Sequence, residues 1–158
     1  MKRLIIIGIL IMSFGITNAQ TKVYKGSSTS SRDAICNLSN GKVYKNTSNS
    51  TRDIVCNISD NKIYKGSSTS SRDILYNVLD GKIFKNSSTS SRDIEMTIKD
   101  GRIYKGTSTS SRDIIATISN GKVYTGTSTS SRDIEFTLDG KATIVEFVAI
   151  WYTVKYNY

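Results

Sequence analysis

The sequence predicts an all-β protein: an elongated antiparallel meander of six 20-residue hairpin repeats, followed by a C-terminal cap. Three observations predict it. An Arg-Asp pair recurs at Arg32-Asp33, Arg52-Asp53, Arg72-Asp73, Arg92-Asp93, Arg112-Asp113 and Arg132-Asp133, always 20 residues apart, and invariant spacing means that every unit stacks on the next in one geometry. Apolar and polar residues alternate within each unit, the period of a half-buried strand. Asn40-Gly41, Asp60-Asn61, Asp80-Gly81, Asp100-Gly101 and Asn120-Gly121 separate two apolar runs, and such dipeptides tolerate the positive φ of a two-residue type I′ turn.

The chain opens with Met1-Lys2-Arg3, an apolar run from Leu4 to Ile16, and small residues at Thr17 and Ala19. That order is a signal peptide over residues 1–19, with the run of about 13 apolar residues too short to span a bilayer. Cleavage leaves residues 20–140 as repeats and 141–158 as the cap. Without Lys2 and Arg3 the chain carries 20 basic and 13 acidic side chains, a net +7. The expected location is outside the cytoplasm, secreted, periplasmic or on the cell surface, with no transmembrane segment after cleavage. Basic charge there favours anionic partners.

Down the columns, one strand places Ala34, Ile54, Ile74, Ile94, Ile114 and Ile134 on one face. Cys36, Cys56, Tyr76, Met96, Ala116 and Phe136 share that face, as do Leu38, Ile58, Val78, Ile98, Ile118 and Leu138. The intervening column is Asn37, Asn57, Asn77, Thr97, Thr117 and Thr137. The second strand buries Val23, Val43, Ile63, Ile83, Ile103 and Val123. A two-residue turn sets Leu38 opposite Val43 and Asn37 opposite Tyr44, so apolar meets apolar and the register is fixed.

A β-solenoid, one 20-residue coil per repeat, is the alternative. It would stack Lys22, Lys42, Lys62, Lys82, Arg102 and Lys122 in one cationic row about 4.8 Å apart, whereas a meander doubles that spacing and softens the repulsion. The cysteines discriminate. Solenoid stacking brings Cys36 and Cys56 within disulfide range in an exported chain, while two strand spacings exceed the limit of about 7 Å between Cα atoms.

The period fails after Leu138, where Asp139-Gly140 arrives one residue early. Thr143 and Glu146 have the spacing of a helix capping box, and Ile144, Phe147, Val148, Trp151 and Val154 fall on one helical stripe. The cap is therefore expected to be a short helix, covering a sheet edge or apolar face.

Composition argues against catalysis. The chain has no histidine, which removes the commonest general base and metal ligand. No cofactor, metal site or catalytic residue is expected. Ser39-x-x-Lys42 and Ser119-x-x-Lys122 match a penicillin-binding spacing, but they straddle hairpin turns instead of lying on the helix that motif needs. The Arg-Asp pairs read as structural ion pairs.

Repetition does generate a regular surface. The candidate binding residues are Lys22 and Tyr24, Lys42 and Tyr44, Lys62 and Tyr64, Lys82 and Phe84, Arg102 and Tyr104, and Lys122 and Tyr124, because rings stack on sugars while cations hold anions. The expected partner is a glycan or an anionic envelope polymer, engaged by a scaffold or adhesin-like module; specific nucleic-acid binding is not expected. Self-association through sheet edges is a further expectation. Two other roles fit: ice or crystal-surface binding through the ladder Thr29, Thr69, Thr89, Thr109 and Thr129, or a purely structural repeat. The Gly41-x-x-Tyr44-x-Asn46 rhythm resembles MORN-type repeats and the wall-binding repeats of surface proteins. The tryptophans of the latter are missing, and no binding residue is carried over.

Overall fold

The structure is a computed structural model that describes residues 20–156; the expected signal peptide over residues 1–19 lies outside them. Each repeat supplies two strands. The Lys-Val/Ile-Tyr segments form β1 (Thr21–Lys25), β3 (Lys42–Lys45), β5 (Lys62–Lys65), β7 (Lys82–Lys85), β9 (Arg102–Lys105) and β11 (Lys122–Thr125). The variable apolar segments form β2 (Ala34–Ser39), β4 (Ile54–Ser59), β6 (Ile74–Leu79), β8 (Ile94–Lys99), β10 (Ile114–Ser119) and β12 (Ile134–Asp139). A helix, α1 (Ile144–Tyr156), follows.

The hairpins have the expected register, Leu38 opposite Val43 and Asn37 opposite Tyr44. Asn40 and Gly41 both take positive φ, 50° and 69°, as a type I′ turn requires. At Gly81 the requirement is steric as well, since an added Cβ would lie 2.5 Å from the Ile98 carbonyl oxygen. The repeat meander and its C-terminal helix are thus those the sequence implies.

The meander also curves back on itself. β1 pairs antiparallel with β12, Val23 opposite Leu138, and the twelve strands close into a barrel. Closure leaves no free edge, so the expected self-association through sheet edges has nothing to pair with. Each repeat carries one register shift: Val23 faces Cys36 but Tyr24 faces Ala34, and the other five repeats do the same. A bulge bends its strand and increases the local twist, so six bulges supply curvature at regular intervals.

The bulge changes one face assignment. The Ala34 and Ile54 column was expected inside, with Cys36; it instead lies opposite the Tyr24 and Tyr44 column on the outer side of the wall. Ile35, the extra residue, joins the interior cluster. Cys36 and Cys56 sit on β2 and β4 with β3 between them, and both thiols are free and buried. The disulfide considered for the solenoid does not form, because two strand spacings separate these residues.

Twelve strands enclose more space than their own side chains fill, since barrel diameter grows with strand number. α1 occupies that space. Val23, Val43, Ile63, Ile83, Ile103 and Val123 from the six short strands form one cluster with Phe147, Val148, Ala149, Ile150 and Trp151 of the helix. The helix is apolar around its middle, as full enclosure demands, so it plugs the barrel instead of covering an end. Its start is the expected capping box: the Thr143 N–H donates to Glu146 Oε2 at 2.8 Å, and the Glu146 N–H donates to Thr143 Oγ1 at 3.3 Å. Where five repeats make a tight turn, the early Gly140 (φ 130°) packs against Thr21. The Thr21 hydroxyl donates to the Lys141 carbonyl at 2.6 Å, fixing the turn into the lumen.

The plug is off-centre, closest to β2–β5. Small Cys56 lets the helix approach, its Sγ 3.7 Å from the Ala149 carbonyl oxygen. To one side, on β12 and two strands from β2, Phe136 fills the space beside the helix, stacked on Phe147 and 6.3 Å from Trp151 by ring centroids. Phe136→Ala should therefore destabilise the protein by about 3–5 kcal/mol, measured by chemical denaturation; a loss below about 1 kcal/mol would mean that this ring does not hold the plug.

Candidate functional site

The two barrel ends differ. The tight turns and the start of α1 lie at one end, where Ile98, Ile118 and Phe147 meet. Six Ser/Thr loops and the last turn of α1 lie at the other, where Lys155 pairs with Glu135 and the Tyr156 hydroxyl donates to Glu95 at 3.1 Å.

Each loop is locked by its own side chains. Gly26 (φ 56°) or its counterpart turns the chain out of the strand; in the second repeat the Asn46 N–H donates to the bulged Ile35 carbonyl at 2.9 Å. Ser28 Oγ then donates to Asp33 Oδ2 at 2.6 Å and accepts the Ser30 N–H at 3.1 Å. The bond recurs at Ser48–Asp53, Ser68–Asp73, Ser88–Asp93, Ser108–Asp113 and Ser128–Asp133. A 3-10 turn such as Ser31–Asp33 returns the chain to the wall.

The Arg-Asp pair is therefore not an ion pair: the aspartate is taken by a serine hydroxyl. All six arginines are exposed, and among the described residues none has an ion-pair partner. Thr29 and Ser31 and their counterparts are likewise exposed, and their side chains make none of the loop hydrogen bonds among the described residues. The threonine ladder is carried on separate loops around a ring.

The sequence-predicted binding columns are split by the fold. Tyr24, Tyr64, Phe84, Tyr104 and Tyr124 are only 5–8% exposed, and Tyr44 is half-buried. They lie on the outer side of the wall, where the Asn/Thr column holds the loops down: Asn37 Nδ2 donates to the Ser48 carbonyl at 2.7 Å, and Thr137 Oγ1 to the Gly26 carbonyl at 2.7 Å. These rings have no free face to stack on a sugar. The cations fare differently. Lys82 and Arg102 are exposed on the outer wall, and Lys22, Lys42, Lys62 and Lys122 are partly so.

A second cationic row, also visible in the sequence, lies outside the predicted binding columns. Lys25, Lys45, Lys65, Lys85 and Lys105 stand opposite Phe136, Cys36, Cys56, Tyr76 and Met96. Directly opposed residues share a face, so these lysines line the lumen mouth, and all five are exposed. The signal was available, since Lys25 follows inward Val23 by two residues. The mouth also holds two acids from the bulge column. Glu135 pairs with Lys155, and Glu95 accepts hydroxyl hydrogens from Tyr76 at 3.0 Å and from Tyr156. Burial, then the Glu95 charge, pushes the Tyr76 phenol up from its ordinary range.

A closed ring of six hairpins around a helix is the class this geometry defines. The chain belongs to the family of 6-fold beta flower proteins, whose model matches residues 23–151. That description names a repeat fold and no catalytic activity, and it differs from the MORN-type and wall-binding resemblances. No curated protein and no solved structure matches the chain significantly.

Burial pushes both lumen thiols up, Cys56 to about 12 from 9.0. A folded pKa above the unfolded one gives stability that is complete below about pH 9 and lost as pH rises toward 12. The double variant Cys36→Ala/Cys56→Ala, an exchange the fold already accepts at Ala116, should show a shallower loss of stability over that window. Equal slopes for the two proteins would contradict buried, neutral thiols.

Proposed function

We propose that this protein is an exported, non-enzymatic binding module that holds an anionic polymer, such as an acidic glycan of the cell envelope or matrix, through many equivalent weak contacts. The observation that carries the reading is the set of six exposed arginines that have no ion-pair partner among the described residues. The loop's serines and aspartate have a structural task, which explains their recurrence. The arginine side chain has no ion-pair partner among the described residues, yet it stands at all six positions. Copying alone is a poor account, because the interior column diverges to Cys36, Cys56, Tyr76, Met96, Ala116 and Phe136.

Guanidinium groups suit sulfate, phosphate and carboxylate, which they bind with paired N–H donors. Six around one rim, backed by the lumen-mouth lysines and the outer-wall cations, favour avidity over a single pocket. The buried tyrosines confine recognition to charge and hydrogen bonding. The threonines of the ladder, spread over five loops of a ring, offer no flat lattice, which weighs against ice or crystal-surface binding.

Binding to dextran sulfate, measured by calorimetry, should weaken by about 1.4- to 5-fold for each Arg→Gln substitution, the effect of one exposed ion pair. It should also fall with added salt, and uncharged dextran should not bind. Complete loss on replacing one arginine would point to a discrete site and overturn the multivalent reading.

A further inference from the structure

The six-fold pattern breaks at the lumen mouth beside the first repeat. There a cleft of about 650 Å³ opens between the barrel wall and the last turn of α1. It exists because the helix is asymmetric within a symmetric ring, and because the Glu135–Lys155 pair props one side. Its size falls within the range of small-molecule sites. Ile35 and Val154 give it an apolar floor, and Lys25 and Arg32 line its rim.

The charges are sorted within it. Glu135 is engaged by Lys155 and by the Thr125 hydroxyl, and Asp33 accepts the Ser28 hydroxyl hydrogen. Lys25 and Arg32 have no ion-pair partner among the described residues. The cleft therefore offers two uncommitted cations over an aliphatic surface.

We propose that this cleft is a binding site for a small amphipathic monoanion, a carboxylate with an aliphatic tail. The head group lies between Lys25 and Arg32, and the tail lies along Ile35 and Val154. The site shares Lys25 and Arg32 with the cationic rim but adds an aliphatic floor that the rim lacks, so its test turns on Ile35 and substitutes no arginine.

Octanoate is the probe, titrated by calorimetry and by backbone amide NMR, with acetate and octyltrimethylammonium as controls. Octanoate should saturate one site in the millimolar range or tighter, shifting the amides of Lys25, Ile35 and Val154. Acetate, without a tail, and the cation, with the wrong charge, should not saturate it. Ile35→Glu places a carboxylate where the fold already accepts Glu95 and Glu135 at equivalent positions, so it should fold and reduce affinity at least ten-fold. Lys25→Gln should reduce it by about 1.4- to 5-fold. Ile115→Glu, the same exchange outside this cleft, should leave binding unchanged. Absence of saturable octanoate binding, equal binding of the cation, or sensitivity to Ile115→Glu in place of Ile35→Glu would overturn the assignment.

Discussion

Enclosing one helix inside a twelve-stranded wall is the constraint on which the structure depends. A closed wall satisfies the backbone of every strand and abolishes edges, but at this strand number it leaves a lumen lined with Val, Ile, Cys and Phe. An empty lumen would expose that lining to water or forfeit its packing contacts. The C-terminal helix resolves both problems, and it also carries Trp151, the only tryptophan of the chain, into contact with Phe136 and Phe147.

The helix has no six-fold symmetry, so the wall cannot be six-fold on its inner side. Interior positions differ from repeat to repeat because each meets a different part of one off-centre rod: cysteine on β2 and β4, where the helix comes close, and tyrosine or phenylalanine on the flanking β6 and β12. The bulge column diverges the same way. It is aliphatic at Ile35, Val55, Leu75 and Ile115, but glutamate at Glu95 and Glu135, where Tyr156 and Lys155 need partners. The outside has no such demand. Each loop meets the same wall and keeps nearly the same sequence, which leaves a symmetric cationic rim around an asymmetric plug.

Local features of this fold were legible in the sequence. Hairpin register followed from the alternation of side chains and from the turn dipeptides, and the helix start from Thr143 and Glu146. Ring closure was not legible, since the pairing of β1 with β12 joins the two ends of the array and no local pattern encodes it. The bulge left only a faint trace: three successive apolar residues, as in Ile54-Val55-Cys56, interrupt the alternation. Missing it put the Ile54 column on the wrong side of the wall. Alternation did place the tyrosines on the outer face, but it carries no information on what covers that face. The loops cover it, so the cations of the candidate columns survive as surface and the rings do not.

Native-state hydrogen exchange tests the enclosed helix most directly. If α1 lies within a closed barrel, the amides of Val148 to Thr153 can reach solvent only when the wall opens. They should then exchange with the same free energy and denaturant dependence as the amides of Val43 and Ile103 in the wall. Helix amides that exchange orders of magnitude faster than the strands, with little denaturant dependence, would place the helix outside the barrel and contradict the account.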